Sequence, residues 1–202
     1  MSSSSNDLAE SVDLAAHLRL LRPDATVRGM YIQDVRKRLA ARLPGQDIDA
    51  RVGLPVRRYL PFNTYPYADY LRLCAGAVPF LWPDHPPAEG LRLLGEGAYD
   101  TFLSSQIGAV LLGVFGRSFP TVARAAGKAW GVSLNFGTVE VVDVGPGQMR
   151  FEMREMPAFL GTLQRGVILG AMKATGVVGG TVEPQMHSLS SATMDVRWNG
   201  SG

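Results

Sequence analysis

The sequence predicts an α+β fold, with N-terminal helices packed on one face of an antiparallel sheet built as β-β-α-β-β. Two observations predict it. Up to about residue 130 the apolar residues recur at helical spacing, whereas beyond it they alternate in short runs around one further helical stretch. The second is Gly145-Pro146-Gly147, a turn signal set between two such runs, which reads as a hairpin.

Residues 1–8 are polar and read as a disordered tail, leaving 9–202 as a single α+β domain. No linker divides that span, because each short loop joins elements whose apolar faces need one another. Leu14, Ala15, Leu18 and Leu21 mark a short helix that Pro23 closes. Thr26 is placed to cap a second helix running to about Leu43, with Met30, Ile32, Val35 and Leu39 inward. Pro44-Gly45 stops it, and residues 44–63 read as irregular. Thr64 and Pro66 open the next helix, whose Tyr67, Tyr70, Leu71, Cys74 and Val78 fall on one side. After the proline-rich turn at 82–87, a long helical pattern carries Leu91, Leu94, Ala98 and Phe102, then Leu103, Ile107, Val110 and Val114. Its weakest points are Ser104-Ser105 and Gly108, and Gly116 ends it. Pro120 starts one more helix, to Trp130.

The period then changes. Phe136 to Val144 is rich in valine, and Met149, Phe151 and Met153 alternate with charged residues. Pro157 opens a helix to about Ala174, and a strand is expected around Val178 to Met186. The last strand sends Ala192, Met194, Val196 and Trp198 inward and Thr193, Asp195 and Arg197 outward.

Composition narrows the function classes. Cys74 is the single cysteine, so no internal disulfide forms, and a lone thiol fits a reducing, cytoplasmic setting. The first residues lack the basic and apolar regions of a signal peptide, and no run reaches the 18 apolar residues of a membrane span. Between Arg19 and Arg58 ten basic residues face four acids. Without interleaved aromatics or a nucleic-acid motif, this stretch reads as a solvated helix face with flanking loops rather than a nucleic-acid surface.

Catalytic patterns are missing. Gly116-Arg117-Ser118-Phe119-Pro120 lacks the second glycine of a nucleophile elbow and follows a helix instead of a strand. His17, His85 and His187 lie in different elements, far from metal-ligand spacing. Gly176, Gly179 and Gly180 follow a helix, so their amides would not converge on a phosphate. Gly166 and Gly170 share one helix face and permit a close backbone approach, read here as helix-on-sheet packing. Six of the eight methionines lie in the C-terminal half, where they suit an adaptable core, pocket or partner face.

Several segments in order carry a resemblance: Thr26-Val27-Arg28-Gly29, Tyr65-Pro66-Tyr67 to Leu73, the EGLRLLG run from Glu89 to Gly95, Leu134-Asn135-Phe136-Gly137, and Asp195-Val196-Arg197-Trp198. Together they resemble an uncharacterised paralogous family, labelled as a domain of unknown function, that is expanded in myxobacteria. The similarity runs from about Leu14 onwards. The late hairpin, helix and hairpin are also similar to a wider fold group of haem-based nitric-oxide sensors, vinyl-reductase-type domains and Golgi-transport (TRAPP) tethering subunits. What this resemblance implies is a ligand-binding or interaction fold rather than a catalytic one. The chain departs from the haem sensors in lacking both their Tyr-x-Ser-x-Arg motif and a histidine on the long middle helix, so haem is not expected and no cofactor is assigned. Cys74 does not align with the cysteine through which tethering subunits hold an acyl chain.

The resulting expectation is a non-enzymatic cytoplasmic sensory or regulatory module that binds a small apolar ligand between helices and sheet. Periodicity nominates Tyr70, Tyr99, Phe102, Phe159, Leu163 and Gly166 as lining residues. The alternative is a protein-interaction subunit with no ligand, acting as a homodimer or with a signalling partner. It would need a contiguous exposed apolar patch.

Overall fold

The computed structural model describes residues 5–105, 109–110, 113 and 118–199. The expected helix positions Ile107, Val114 and Gly116 lie outside the described residues. Helices α1 (Ser5–Ala9) and α2 (Leu14–Leu20) come first. Strand β1 (Thr26–Arg28), α3 (Gly29–Arg42), α4 (Ile48–Val52), β2 (Thr64–Pro66), α5 (Tyr67–Leu81) and α6 (Pro87–Leu103) follow. Helices α7 (Phe119–Arg124) and α8 (Ala126–Ser133) lead into β3 (Thr138–Gly145) and β4 (Gln148–Arg154). A π-helical turn (Leu160–Gln164) then runs into α9 (Arg165–Ala174), and β5 (Thr181–Ser188) and β6 (Ser191–Arg197) close the chain.

The four C-terminal strands form one antiparallel sheet in the order β3-β4-β6-β5, so the β-β-α-β-β layout stands. Its two faces differ as the alternation requires. Met149, Phe151, Met153, Val182, Met186, Ala192, Met194 and Val196 are buried. The opposite face carries cross-strand ion pairs, Arg150–Asp195 at 2.8 Å, Arg154–Glu140 at 3.5 Å and Arg197–Glu183 at 3.9 Å. That face is a solvated one, and the helices pack on the other.

Local departures from the sequence reading have local causes. Residues 5–8, expected to belong to a disordered tail, fall in helix Ser5–Ala9, and Leu8 and Ala9 pack on the core. Thr26 does not cap α3. It opens β1, whose Val27 pairs with Tyr65 of β2, a partner distant in the chain. Helix α3 starts at Gly29, where a Cβ would collide with the Leu60 carbonyl oxygen. Thr64 and Pro66 likewise belong to a strand, and α5 begins only at Tyr67. Within the stretch expected to be irregular, Asp47 caps α4 by accepting from the Ala50 N–H at 3.1 Å, and Gly53 ends it at φ +67°. The helix expected from Pro120 to Trp130 divides into α7 and α8 at Ala125. The strand expected from Val178 begins at Thr181, with Val178 exposed.

The basic stretch is largely engaged within the fold. Arg36 pairs with the buried Asp49 at 2.8 Å, Arg38 with Asp34 at 2.9 Å, and Arg57 with the buried Asp69 at 3.6 Å. Arg28 donates to the backbone carbonyls of Phe62 and Val132, at 2.6 and 3.1 Å.

Candidate ligand cavity

Five helices and two strands border a cavity of about 160 Å³ on the buried side of the sheet. Tyr67 and Tyr70 of α5 and Ala98, Tyr99 and Phe102 of α6 form one wall. Val139 of β3 with Phe151 and Met153 of β4 form the floor. Val167, Ile168 and Ala171 of α9 close one side, and Ala123, Ala126, Ala129 and Trp130 of α7 and α8 close the other.

The hollow has a steric origin. Six alanines, at 98, 123, 125, 126, 129 and 171, stop short of the centre. Aromatic rings braced against one another keep the backbones from collapsing onto them. Tyr67 meets Phe136 edge-on at 4.6 Å, Tyr67 and Tyr70 lie 5.5 Å apart, and the Trp130 indole N–H donates to the Phe136 carbonyl at 2.7 Å. Phe119, fully buried, is locked edge-on against Trp198 at 5.1 Å. Rings fixed from several directions leave a void that ordinary relaxation does not fill.

Chemically the cavity is neutral. Among the described residues, none that lines it carries a charge. Burial raises the Tyr67 and Tyr70 phenols well above their ordinary value and pushes Tyr99 up to about 12, so all stay protonated. The Tyr31 hydroxyl shares a 2.9 Å hydrogen bond with Ser133, and the Gln164 amide donates to the Ala158 carbonyl at 3.4 Å. The Tyr67 and Tyr99 hydroxyls are buried and make no hydrogen bond. Behind Tyr70 lies Cys74, fully buried, its thiol pushed up to about 12 by burial and therefore unreactive.

Three of the six residues nominated from periodicity, Tyr70, Tyr99 and Phe102, belong to the cavity wall; Phe159, Leu163 and Gly166 lie elsewhere. Phe159 packs at a tilt against the buried His17, with ring centroids 4.3 Å apart. Leu163 and Gly166 face α6, where a Cβ on Gly95 would strike the Leu163 carbonyl and a Cβ on Gly166 the Arg92 carbonyl. A Cβ on Gly170 would strike the Glu96 carbonyl, so the glycine pair serves helix-on-helix packing, not the helix-on-sheet packing expected. Gly166 lies on the face of α9 that closes on α6, while Phe159, at φ +51°, precedes the π turn at Leu160–Gln164 and is out of phase with α9. The adjacent face of α9, with Val167, Ile168 and Ala171, takes the wall positions. Sequence reasoning missed these and the sheet residues Phe151 and Met153. The clustered alanines from Ala123 to Ala129 were the available signal of a thin wall.

His17 sits outside the cavity with neither ring nitrogen in a well-formed hydrogen bond. Burial pushes its pKa down to about 4, with Asp13 and the Pro157 backbone opposing the shift. Among the described residues no group of three or more His, Cys, Asp or Glu is placed to hold a metal ion, and no helix is long and apolar enough to cross a membrane.

Comparison with known proteins places this architecture. A family model described as "Protein of unknown function (DUF2378)" matches residues 20–199. No curated protein matches the chain significantly. Among solved structures, an H-NOX protein from S. oneidensis in the Fe(II)NO ligation state superposes with a TM-score of 0.68 at 9% identity, covering 86% of this chain and 99% of that one. The Fe(II) unliganded H-NOX protein from K. algicida gives 0.64 at 11% identity, with 86% and 97% coverage. A Tt H-NOX variant gives 0.61 at 15%, with 86% and 95% coverage. At these identities the likeness is one of fold.

Proposed function

The chain belongs to this family of proteins of unknown function and has the H-NOX fold, and from that premise we propose that it is a non-enzymatic, cytoplasmic sensory or regulatory module. It binds a small ligand between its helices and its sheet. The observation that carries this reading is the neutral, aromatic-framed cavity of about 160 Å³. An engineered apolar cavity of about 150 Å³ accepts benzene, so this volume suits a molecule of roughly one ring.

The fold family implies a haem, and the residues present do not fit one. The chain has three histidines, and none lines the cavity: His17 is buried against Phe159, and His85 and His187 are exposed. The cavity tyrosines are held protonated, which disfavours phenolate ligation of iron. Among the described residues no lining residue is cationic, so carboxylate side arms would find no partner there. The volume also falls below the roughly 300–1,000 Å³ of pockets for drug-sized ligands.

Titration with toluene, followed by amide NMR, tests the reading. Saturable shifts confined to Tyr70, Tyr99, Phe102, Phe151 and their neighbours are expected, and Ala171→Met should abolish them. If no shifts saturate there, and native mass spectrometry of protein purified from its source shows no retained small molecule, the ligand-binding reading is lost. An interaction role without ligand then takes its place.

A further inference from the structure

We propose that the loop between α4 and β2, together with β1 and the end of α8, forms a rigid surface that docks on an anionic membrane. Its exposed apolar tips enter the headgroup layer, and the arginines around them meet lipid phosphates and carboxylates.

Three segments meet at this surface. Arg28 of β1 donates to the Phe62 carbonyl at 2.6 Å and to the Val132 carbonyl at 3.1 Å. The Leu60 carbonyl lies against Gly29, the next residue of the chain. Leu60 and Val132 are each 38% exposed, Phe62 is 56% exposed, and Val56, earlier in the same loop, is 89% exposed. The loop is fastened so that these side chains cannot turn inward. Tyr59 and Tyr65 are buried with ring centroids 4.8 Å apart. The Tyr65 hydroxyl accepts from the Leu60 N–H at 2.6 Å and donates to the Arg58 carbonyl at 3.1 Å. The Gly29 and Met30 N–H groups donate to the Asn63 and Pro61 carbonyls at 2.8 and 3.1 Å. A segment already held at so many points loses little conformational freedom on docking.

Charge and shape select the occupant. Residues 25–33, 53–68 and 126–139, which supply the surface, contain no Asp or Glu. Arg28 spends its hydrogen bonds on neutral carbonyls, and Arg58 is exposed. Arg57 and Arg72 share the single carboxylate of Asp69, at 3.6 and 3.5 Å. Asp24, just before β1, is already held by Arg22 at 2.6 Å. The excess is positive, so a second copy of the chain would set arginine against arginine, whereas an anionic surface is attracted. Side chains as exposed as Val56 and Phe62 protrude. Protruding tips need a matching pocket in a protein partner but none in a fluid headgroup layer.

Co-sedimentation of the full chain with vesicles tests the proposal, using phosphatidylcholine alone and phosphatidylcholine with about 30% phosphatidylserine. Binding to the anionic vesicles only is expected, and it should weaken as salt is raised. Arg58→Glu should weaken it by at least about fivefold. Phe62→Ser should weaken it by about tenfold. Arg197→Glu, the same charge change on the outer face of the sheet, should bind like the parent, and circular dichroism checks that each variant is folded. Failure to bind anionic vesicles, or equal binding to both kinds, overturns the proposal. So does binding that Arg58→Glu and Phe62→Ser leave intact, or that Arg197→Glu weakens equally. Capture by an acidic amphipathic peptide instead of by vesicles, weakened by the same two variants, would assign the surface to a protein partner and equally overturn membrane docking.

Discussion

Helix α6 meets two contrasting environments along its length. Around Arg92 to Glu96 it lies against α9 and the turn before it across Gly95, Gly166 and Gly170, so closely that a single methyl group at any of the three would strike a carbonyl oxygen. A turn further on, at Ala98, Tyr99 and Phe102, it borders empty space. Both regions are rich in small side chains. The difference lies in what sets the distance between backbones. At the glycine seam nothing stands between the helices, so they close until main chains touch. At the cavity a frame of rings anchored elsewhere, Tyr67 on Phe136 and Phe119 on Trp198, keeps the walls apart while alanines fail to fill the gap. Small residues therefore produce either the densest or the emptiest part of a core, according to their neighbours.

Substitution on the two sides should give opposite results. Gly166→Ala forces a Cβ into the Arg92 carbonyl and is expected to lower unfolding free energy by about 3 kcal/mol, the upper end of overpacking costs, in urea denaturation. A loss below about 0.5 kcal/mol would mean the seam is loose and the contrast false. Charge is a second way to stress the filled side. His17 is 1% exposed with its folded pKa lowered to about 4 from 6.5, so the unfolded chain takes up its proton first. Stability is thus fully present above pH 6.5, falls as pH drops from 6.5 towards 4, and levels below that, with about 2–3 kcal/mol lost in all. Comparing urea midpoints of the parent and His17→Leu across pH 7 to 4 isolates this contribution, which the variant should lack.

On the hollow side the effects are smaller and can reverse sign. Tyr99→Phe removes an unsatisfied buried hydroxyl and should raise stability by about 1 kcal/mol in the absence of ligand. Ala171→Met extends a side chain into free volume and should change stability by less than about 1 kcal/mol in calorimetry while blocking toluene. A cost near 3 kcal/mol there would show that the space is closed in solution.

Much of the fold was legible in the sequence because its signals are local. The strand alternation at Met149 to Met153 and Ala192 to Val196 names the buried face directly. Proline and glycine punctuation places α5, the start of α6 and the β3–β4 turn within a few residues. What stayed hidden depends on distant partners. Thr26–Arg28 becomes a strand only because Thr64–Pro66 lies beside it. The site was half legible for the same reason. Tyr70, Tyr99 and Phe102 lie on regular helices, so periodicity places them on the inward face. Phe159 and Leu163 precede and occupy a turn that is not 3.6-periodic, and Gly166 faces α6 across a seam that no spacing rule anticipates.

That turn has a consequence for the length of the chain. The Gln164 N–H reaches back five residues to the Phe159 carbonyl at 3.2 Å, so the segment holds one residue more than an α-helical turn would. Deleting any one residue between 160 and 164 would let the helix rewind to regular geometry and would rotate everything before it by about 100° relative to α9. Phe159 would then swing off His17, and the N-terminal helix resting on the turn would lose its seat. A relative shorter by one position here would have to anchor its first twenty residues differently, which makes this the place where an otherwise silent change in length would be felt.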